Sequence, residues 1–188
     1  MTGSAQVRPR DRVIAAIFVA VVLVIQAFTM GAAVGLLGIG LIVAYGLWGY
    51  SRWSADPKAI LPVYLSGIAV QCLHLCEEYL TGFQREFPAL IGRQWTDAIF
   101  IAFNLGWLSA FIFAAVGVYR GIAVAYVIVF FYAVAGGIGN GAGHLLLCLA
   151  RRSYFPGALT APLNLVIGVI LLRRLFERRI RDVDSTKM

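Results

Sequence analysis

Charge is scarce in this chain. Only 13% of its 188 residues are Asp, Glu, Lys or Arg, where a soluble domain carries about 25%. With 61% hydrophobic residues and a mean hydropathy of +0.84, the polar surface is too small to keep a folded domain in water. That excludes a soluble enzyme and leads to an integral membrane protein. Zinc-finger spacing, an RNA-binding aromatic motif and a phosphate-cradling Gly-Lys-Ser/Thr loop are all missing. The net charge of +7 therefore carries no nucleic-acid reading. Its arginines sit at segment ends and in the C-terminal stretch, as orientation signals and lipid-headgroup contacts do. Cysteine is equally sparse. Cys72, Cys76 and Cys148 lie in apolar segments and are odd in number, so they read as buried thiols rather than a disulfide scaffold.

What is present is a series of apolar runs. A polar, basic arm over residues 1–12 precedes a first span from about Val13 to Met30. The arm and that run resemble a signal peptide, but hydrophobicity continues past Met30 without a convincing cleavage site. Gly31-Ala32-Ala33 makes an uncharged turn into a second span, about Val34 to Tyr50. The third runs from about Ala59 to Leu80, the fourth from Ala98 to Tyr119, the fifth from Ile122 to Ala150 and the sixth from Gly157 to Leu172. The loops between them include Ser51 to Lys58, Thr81 to Asp97 and Arg151 to Pro156, and a basic tail covers 173–188. In lipid each span must satisfy its own backbone, so the expected fold is all-α: a single transmembrane domain, a polytopic bundle of about six helices. The fifth run exceeds the ~20 residues that cross hydrocarbon, and its glycines would let it unwind or break. Trp48, Trp53, Trp95 and Trp107 fall mostly near span ends and read as interfacial belts rather than a substrate cage.

Six spans put both termini on one side. With that side cytoplasmic, twelve of the sixteen basic residues are inside; Arg85, Arg93, Arg151 and Arg152 are outside. The expected location is the cell (inner) membrane. His74, Glu77 and Glu78, Asn104, Asn140 and His144, and Thr160 then all fall in the outer half of the bilayer. Polar groups from four separate spans at one depth point to one site.

The centre of that site is His74-Leu75-Cys76-Glu77-Glu78. A histidine and two carboxylates within a bilayer-length segment are costly unless paired or ligated. On a helix Glu77 lies roughly 60° to one side of His74 and Glu78 roughly 40° to the other, so the three share a face. Asn140 and His144 stack at four-residue spacing on the fifth span. Ala133, Gly137 and Gly141 form a small-residue stripe there that admits another helix closely.

Several chemistries fit this set. His74, Glu78 and His144 would ligate zinc or non-haem iron, with Glu77 as a general base or an orienting carboxylate. Without metal, His74 pairs with one carboxylate while the other keeps its proton, a separation of acid from base. A buried hydrogen-bond network that only fixes packing is the plain reading. A proton or ion path is disfavoured, because no charged residue in the inner half continues it.

His74-x-x-Glu77-Glu78-Tyr79 with Gly82-Phe83, then Asn140-x-x-x-His144, then Tyr154-x-Pro156-Gly157-x-x-Thr160, resembles the HXXEE-domain family of small bacterial integral membrane proteins. The likeness extends over roughly residues 59–172 and implies His74, Glu77, Glu78, His144 and the Pro-Gly-x-x-Thr segment as signature positions. It implies no particular activity.

Function must then be argued from the site. The leading expectation is a membrane-embedded enzyme that takes an apolar lipid or isoprenoid-like molecule sideways from the bilayer. Hydrolysis, isomerisation or cyclisation would use His74, Glu77, Glu78 and His144 as catalytic groups, with Asn104, Asn140 and Thr160 binding substrate. Glu77→Gln and Glu78→Gln should both leave the protein folded but inactive. The competing expectation is a non-enzymatic membrane module: a small transporter, a lipid-binding protein or a partner subunit.

Overall fold

A computed structural model describes residues 8–30, 34–51 and 56–185. The expected turn at Gly31-Ala32-Ala33, and Arg52 and Trp53 of the following loop, lie outside the described residues. Within them the chain is all-helical. The helices are α1 (Pro9–Met30), α2 (Val34–Tyr50), α3 (Pro57–Thr81), α4 (Phe83–Leu90), α5 (Asp97–Tyr119), α6 (Ala125–Arg151) and α7 (Ala161–Ser185).

Local chemistry sets the ends that matter for the site. Asp56 caps α3 by accepting the Lys58 N–H at 3.0 Å, and Pro57 occupies the first turn, where no N–H is needed. Gly82 ends α3 at φ 94°. This left-handed corner admits glycine readily and swings the chain at once into α4. Thr96 caps α5 through a 3.2 Å bond from the Ile99 N–H. Arg152, at φ 52°, closes α6 in the left-handed region, which is uncommon for a residue with a Cβ.

The fifth run is continuous but not uniform. Tyr132–Gly139 winds as a π-helix inside α6, and the Asn140 N–H reaches back five residues to the Ala135 carbonyl. The closest crossing in the bundle lies here. A Cβ on Gly137 would fall 2.6 Å from Gly168 Cα of α7, and one on Gly141 would fall 2.6 Å from the Ala161 carbonyl. The small-residue stripe is thus a contact between helix backbones.

α6 is the hub; α2, α5 and α7 pack on it, and α3 lies against α5 and α7. Rings fill the middle. Trp107 stacks on Phe131 at 4.4 Å, Phe111 meets Tyr132 at 5.1 Å, and the Tyr64 hydroxyl donates to the Phe111 carbonyl at 3.1 Å. The outside is apolar as well. Ile17, Ile39, Leu73, Phe113 and Val166 are all more than half exposed, as lipid-facing positions are and water-facing ones are not.

Three described helices, α3, α5 and α6, are both long and apolar enough to cross a bilayer. This is fewer than the six expected from the runs. α2 has only 17 residues, and α7 begins at Ala161 rather than Gly157 and runs on to Ser185 through Arg173 and Arg174. The Thr81–Asp97 loop contains α4, which the runs did not reveal. The tryptophans also depart from the belt expectation. Trp48 is fully buried, while Trp95 and Trp107 line an internal cavity.

Candidate functional site

α3 and α6 bring their polar residues together near the α3–α4 corner. The His74 and His144 rings meet edge to face with centroids 4.8 Å apart. Between them lies Glu78, whose Oε1 is 3.4 Å from His74 Nε2 and 3.1 Å from His144 Nε2. All three side chains are buried, and their donor atoms lie within 4.8 Å of one another.

The chain belongs to the HXXEE family. The model for that family, described as "Protein of unknown function with HXXEE motif", matches residues 65–172, more than half of the sequence. No curated protein and no solved structure matches the chain. In the HXXEE motif of this chain, His74-x-x-Glu77-Glu78, the two glutamates have different surroundings.

Glu77 points away from the cluster, into the 154–160 loop. Its Oε1 accepts from the Tyr154 hydroxyl at 2.6 Å and the Leu159 N–H at 2.8 Å. Its Oε2 accepts from the Thr160 N–H at 2.8 Å and the Thr160 hydroxyl at 2.5 Å. Four donors on two oxygens hold this carboxylate as a fixed anion. The Tyr154 phenol is correspondingly raised above its ordinary pKa, by desolvation first and then by its bond to Glu77.

Thr160 links Glu77 to His74. Its one proton goes to Glu77, so at 2.7 Å it accepts from His74 Nδ1. That leaves the lone pair of a neutral His74 on Nε2, which accepts from Asn140 Nδ2 at 2.9 Å. The Asn140 amide is thereby oriented, with its Oδ1 accepting from His144 Nε2 at 3.1 Å. This assignment of tautomers and amide follows from the hydrogen-bond network. Every donor in the chain His144–Asn140–His74–Thr160–Glu77 points the same way.

Gly157 completes the enclosure. At φ 90° it lies so close that a Cβ would fall 2.6 Å from His144 Cε1 and 2.9 Å from His74 Cε1. The Pro156-Gly157 turn is therefore a lid pressed on both imidazoles, with Phe83 and Phe155 against His144 at 5.4 and 5.9 Å.

On its other side the cluster borders a cavity of about 470 Å³, within the range of pockets that enclose small apolar ligands. Most of its wall is aromatic and aliphatic, from Leu37 of α2 to Leu147 of α6. Glu78 and His144 are its two titratable side chains, joined by Gln71, Asn104 and Asn140. α2 and α5 both pack on α6, and the lining residues Ile39 and Val43 are also exposed on the outer surface of the bundle.

The structure therefore gathers His74, Glu78, His144, Asn140 and Thr160, and ties Glu77 to them through Thr160. Asn104 is not in the cluster; it lines the cavity and bonds back to the Phe100 carbonyl at 3.0 Å. The three cysteines are free, with Cys76 exposed on the outer surface. Sequence reasoning missed Gln71, whose position one turn before His74 on the same helix face was the available signal.

A metal fits this group in part. Tetrahedral bonds of about 2.0–2.1 Å imply ligand separations of about 3.3 Å, and the two Glu78 separations are 3.4 and 3.1 Å. His74 already has a ligating tautomer, with Nδ1 anchored on Thr160. His144 does not. Its Nε2 carries the proton, and its Nδ1 is buried without a partner.

Proposed function

We propose that this protein is a membrane-embedded enzyme that acts on an apolar lipid or isoprenoid-like substrate, taken sideways from the bilayer. One observation carries the reading: the two titratable groups on the wall of the apolar cavity, Glu78 and His144, lie 3.1 Å apart. A carboxylate and an imidazole that share a proton in a low-dielectric pocket form an acid/base pair. Isomerisation or cyclisation needs a proton removed at one carbon and delivered at another. Glu78 Oε1 takes the proton from one carbon and, as the acid so formed, returns it at the other, while the His144 Nε2–H donated to this oxygen holds it in place. Asn140 fixes both imidazoles. The Glu77 anion, acting through Thr160, stabilises positive charge that develops on His74.

The long helices α1, α2, α3, α5, α6 and α7 would cross the inner membrane with both termini in the cytoplasm, a count of basic residues that follows the positive-inside rule. The site then sits in the outer leaflet.

A metal-assisted version is the second reading, favoured by the two separations at Glu78. His74, Glu78 and His144 would hold zinc or non-haem iron, which supplies Lewis acidity and an activated water for hydrolysis. Here His144 must first move its proton to Nδ1.

The test is to identify apolar molecules and metals that purify with the protein, and to follow conversion of the bound molecule. The wild type should consume it and Glu78→Gln should bind but not convert it. Full conversion by Glu78→Gln overturns the assignment. Stoichiometric metal, lost in His74→Ala, selects the second reading over the first.

A further inference from the structure

Beside the apolar cavity, on the other side of α4, lies a second cleft of about 540 Å³. Its wall carries two arginines, Arg85 and Arg93, beside Gln84, Gln94 and Trp95. Trp95 belongs to both cavities. From the acid/base pair to the basic cleft runs a line of rings, His144 to Phe83 at 5.4 Å, Phe83 to Phe87 at 4.9 Å and Phe87 to Trp95 at 5.8 Å. An amphiphile seated along this line would have its tail among the rings of α5 and α6 and its head in the cleft.

The charge in the cleft is uncompensated. Among the described residues neither Arg85 nor Arg93 takes part in an ion pair. The neighbouring carboxylates are already engaged: Glu86 with Arg151 at 2.6 Å, and Asp97 with the Tyr79 hydroxyl at 3.3 Å. Two unpaired arginines in one cleft call for an anionic group, and a phosphate monoester, mostly a dianion at neutral pH, is such a group.

We infer that the cleft of Arg85 and Arg93 is a headgroup subsite, and that the molecule taken into the apolar cavity is an amphiphile with a phosphate monoester head. This rests on the lipid-cavity reading above and narrows its substrate class. The arginines bind the anionic oxygens, and the chain passes over Trp95, Phe87 and Phe83 toward Glu78 and His144.

The experiment measures binding of farnesyl phosphate, farnesol and inorganic phosphate to the purified full-length protein in uncharged detergent. Wild type should bind farnesyl phosphate roughly 10- to 30-fold more tightly than farnesol, as expected for two arginines near a membrane surface. The advantage should shrink as salt rises, a readout that needs no variant. The Arg85→Gln/Arg93→Gln double variant should bind both equally, with farnesol affinity unchanged. Equal binding by the wild type, or a preference that survives in the double variant, overturns the subsite while the apolar cavity stands. Failure of both farnesol and farnesyl phosphate to bind overturns the cavity reading and the subsite together. If inorganic phosphate binds the cleft while farnesyl phosphate gains nothing over farnesol, the cleft is a free-anion site and the amphiphile is refuted.

Discussion

The two glutamates of the motif should separate cleanly under the same substitution. Glu77→Gln replaces an oxygen that accepts two bonds with an NH₂ that faces two donors. Whichever way the amide turns, two of the four bonds from Tyr154, Leu159 and Thr160 are lost. Bonds to a charged acceptor are worth about 1.5–3 kcal/mol each. Glu77 is only partly buried, so water recovers some of this, and a net cost of about 2–3 kcal/mol is expected. For a chain of this size that corresponds to a Tm lower by roughly 5–10 °C. Glu78→Gln should behave in the opposite way. Its site is buried between two imidazoles, and an amide of equal shape removes a charge from low dielectric. Stability should change by less than about 1 kcal/mol, while catalysis is lost. Thermal unfolding in detergent, followed by circular dichroism, reads the first difference, and conversion of the co-purified ligand reads the second. A Glu77→Gln protein that melts with the wild type, or a Glu78→Gln protein that melts well below it, would refute the division of labour between clamp and acid/base pair.

Other substitutions test the enclosure and the crossing. Gly157→Ala places a Cβ against both imidazoles from a left-handed backbone; it should cost at least about 2 kcal/mol and displace the 154–160 loop, detectable as faster amide exchange at Leu159 and Thr160. Gly137→Ala should lower stability by about 1–3 kcal/mol by pushing α7 off α6, whereas Gly46→Ala, with nothing within 4 Å of the added methyl, should be neutral or raise the Tm slightly. Should a metal be bound, a chelator should lower the Tm of the wild type and leave that of His74→Ala unmoved; equal effects on both would remove His74 from the ligand set.

Much of this site could be read from the chain because few residues compete for the role. The protein has two histidines, and in an apolar segment a polar side chain is costly enough to need a partner. Helical geometry then placed Glu77 and Glu78 on either side of His74, and both sides prove to be used. What could not be read is which side held the chemistry. Adjacent carboxylates look alike until the 154–160 loop, distant in sequence, supplies four donors to one of them. α4 escaped notice because Arg85, Glu86 and Pro88 interrupt its apolar positions, although Phe83 and Phe87 at four-residue spacing were a sign of it. The tryptophans were misplaced for a related reason. Being near a span end fixes depth, not which way a ring faces, and Trp95 and Trp107 turn inward to the cavity.

The π segment explains why a glycine-rich stretch precedes His144. Up to Phe131, α6 buries rings against its neighbours as an ordinary helix. From Asn140 onward it must present Asn140 and His144 to α3 while Gly141 stays against the start of α7. Bonding five residues back instead of four admits one extra residue, which rotates everything downstream by roughly 100° relative to an unbroken α-helix. Weaker bonds in such a segment are tolerated where another backbone packs directly on it. Gly168 does this: a Cβ there would fall 2.7 Å from the Ile138 nitrogen and 2.8 Å from the Ala133 carbonyl. The glycines thus serve two ends at once, letting α7 close in and letting α6 change register. Without that rotation His144 would leave the cavity wall, and Glu78 would be a buried carboxylate without the His144 N–H.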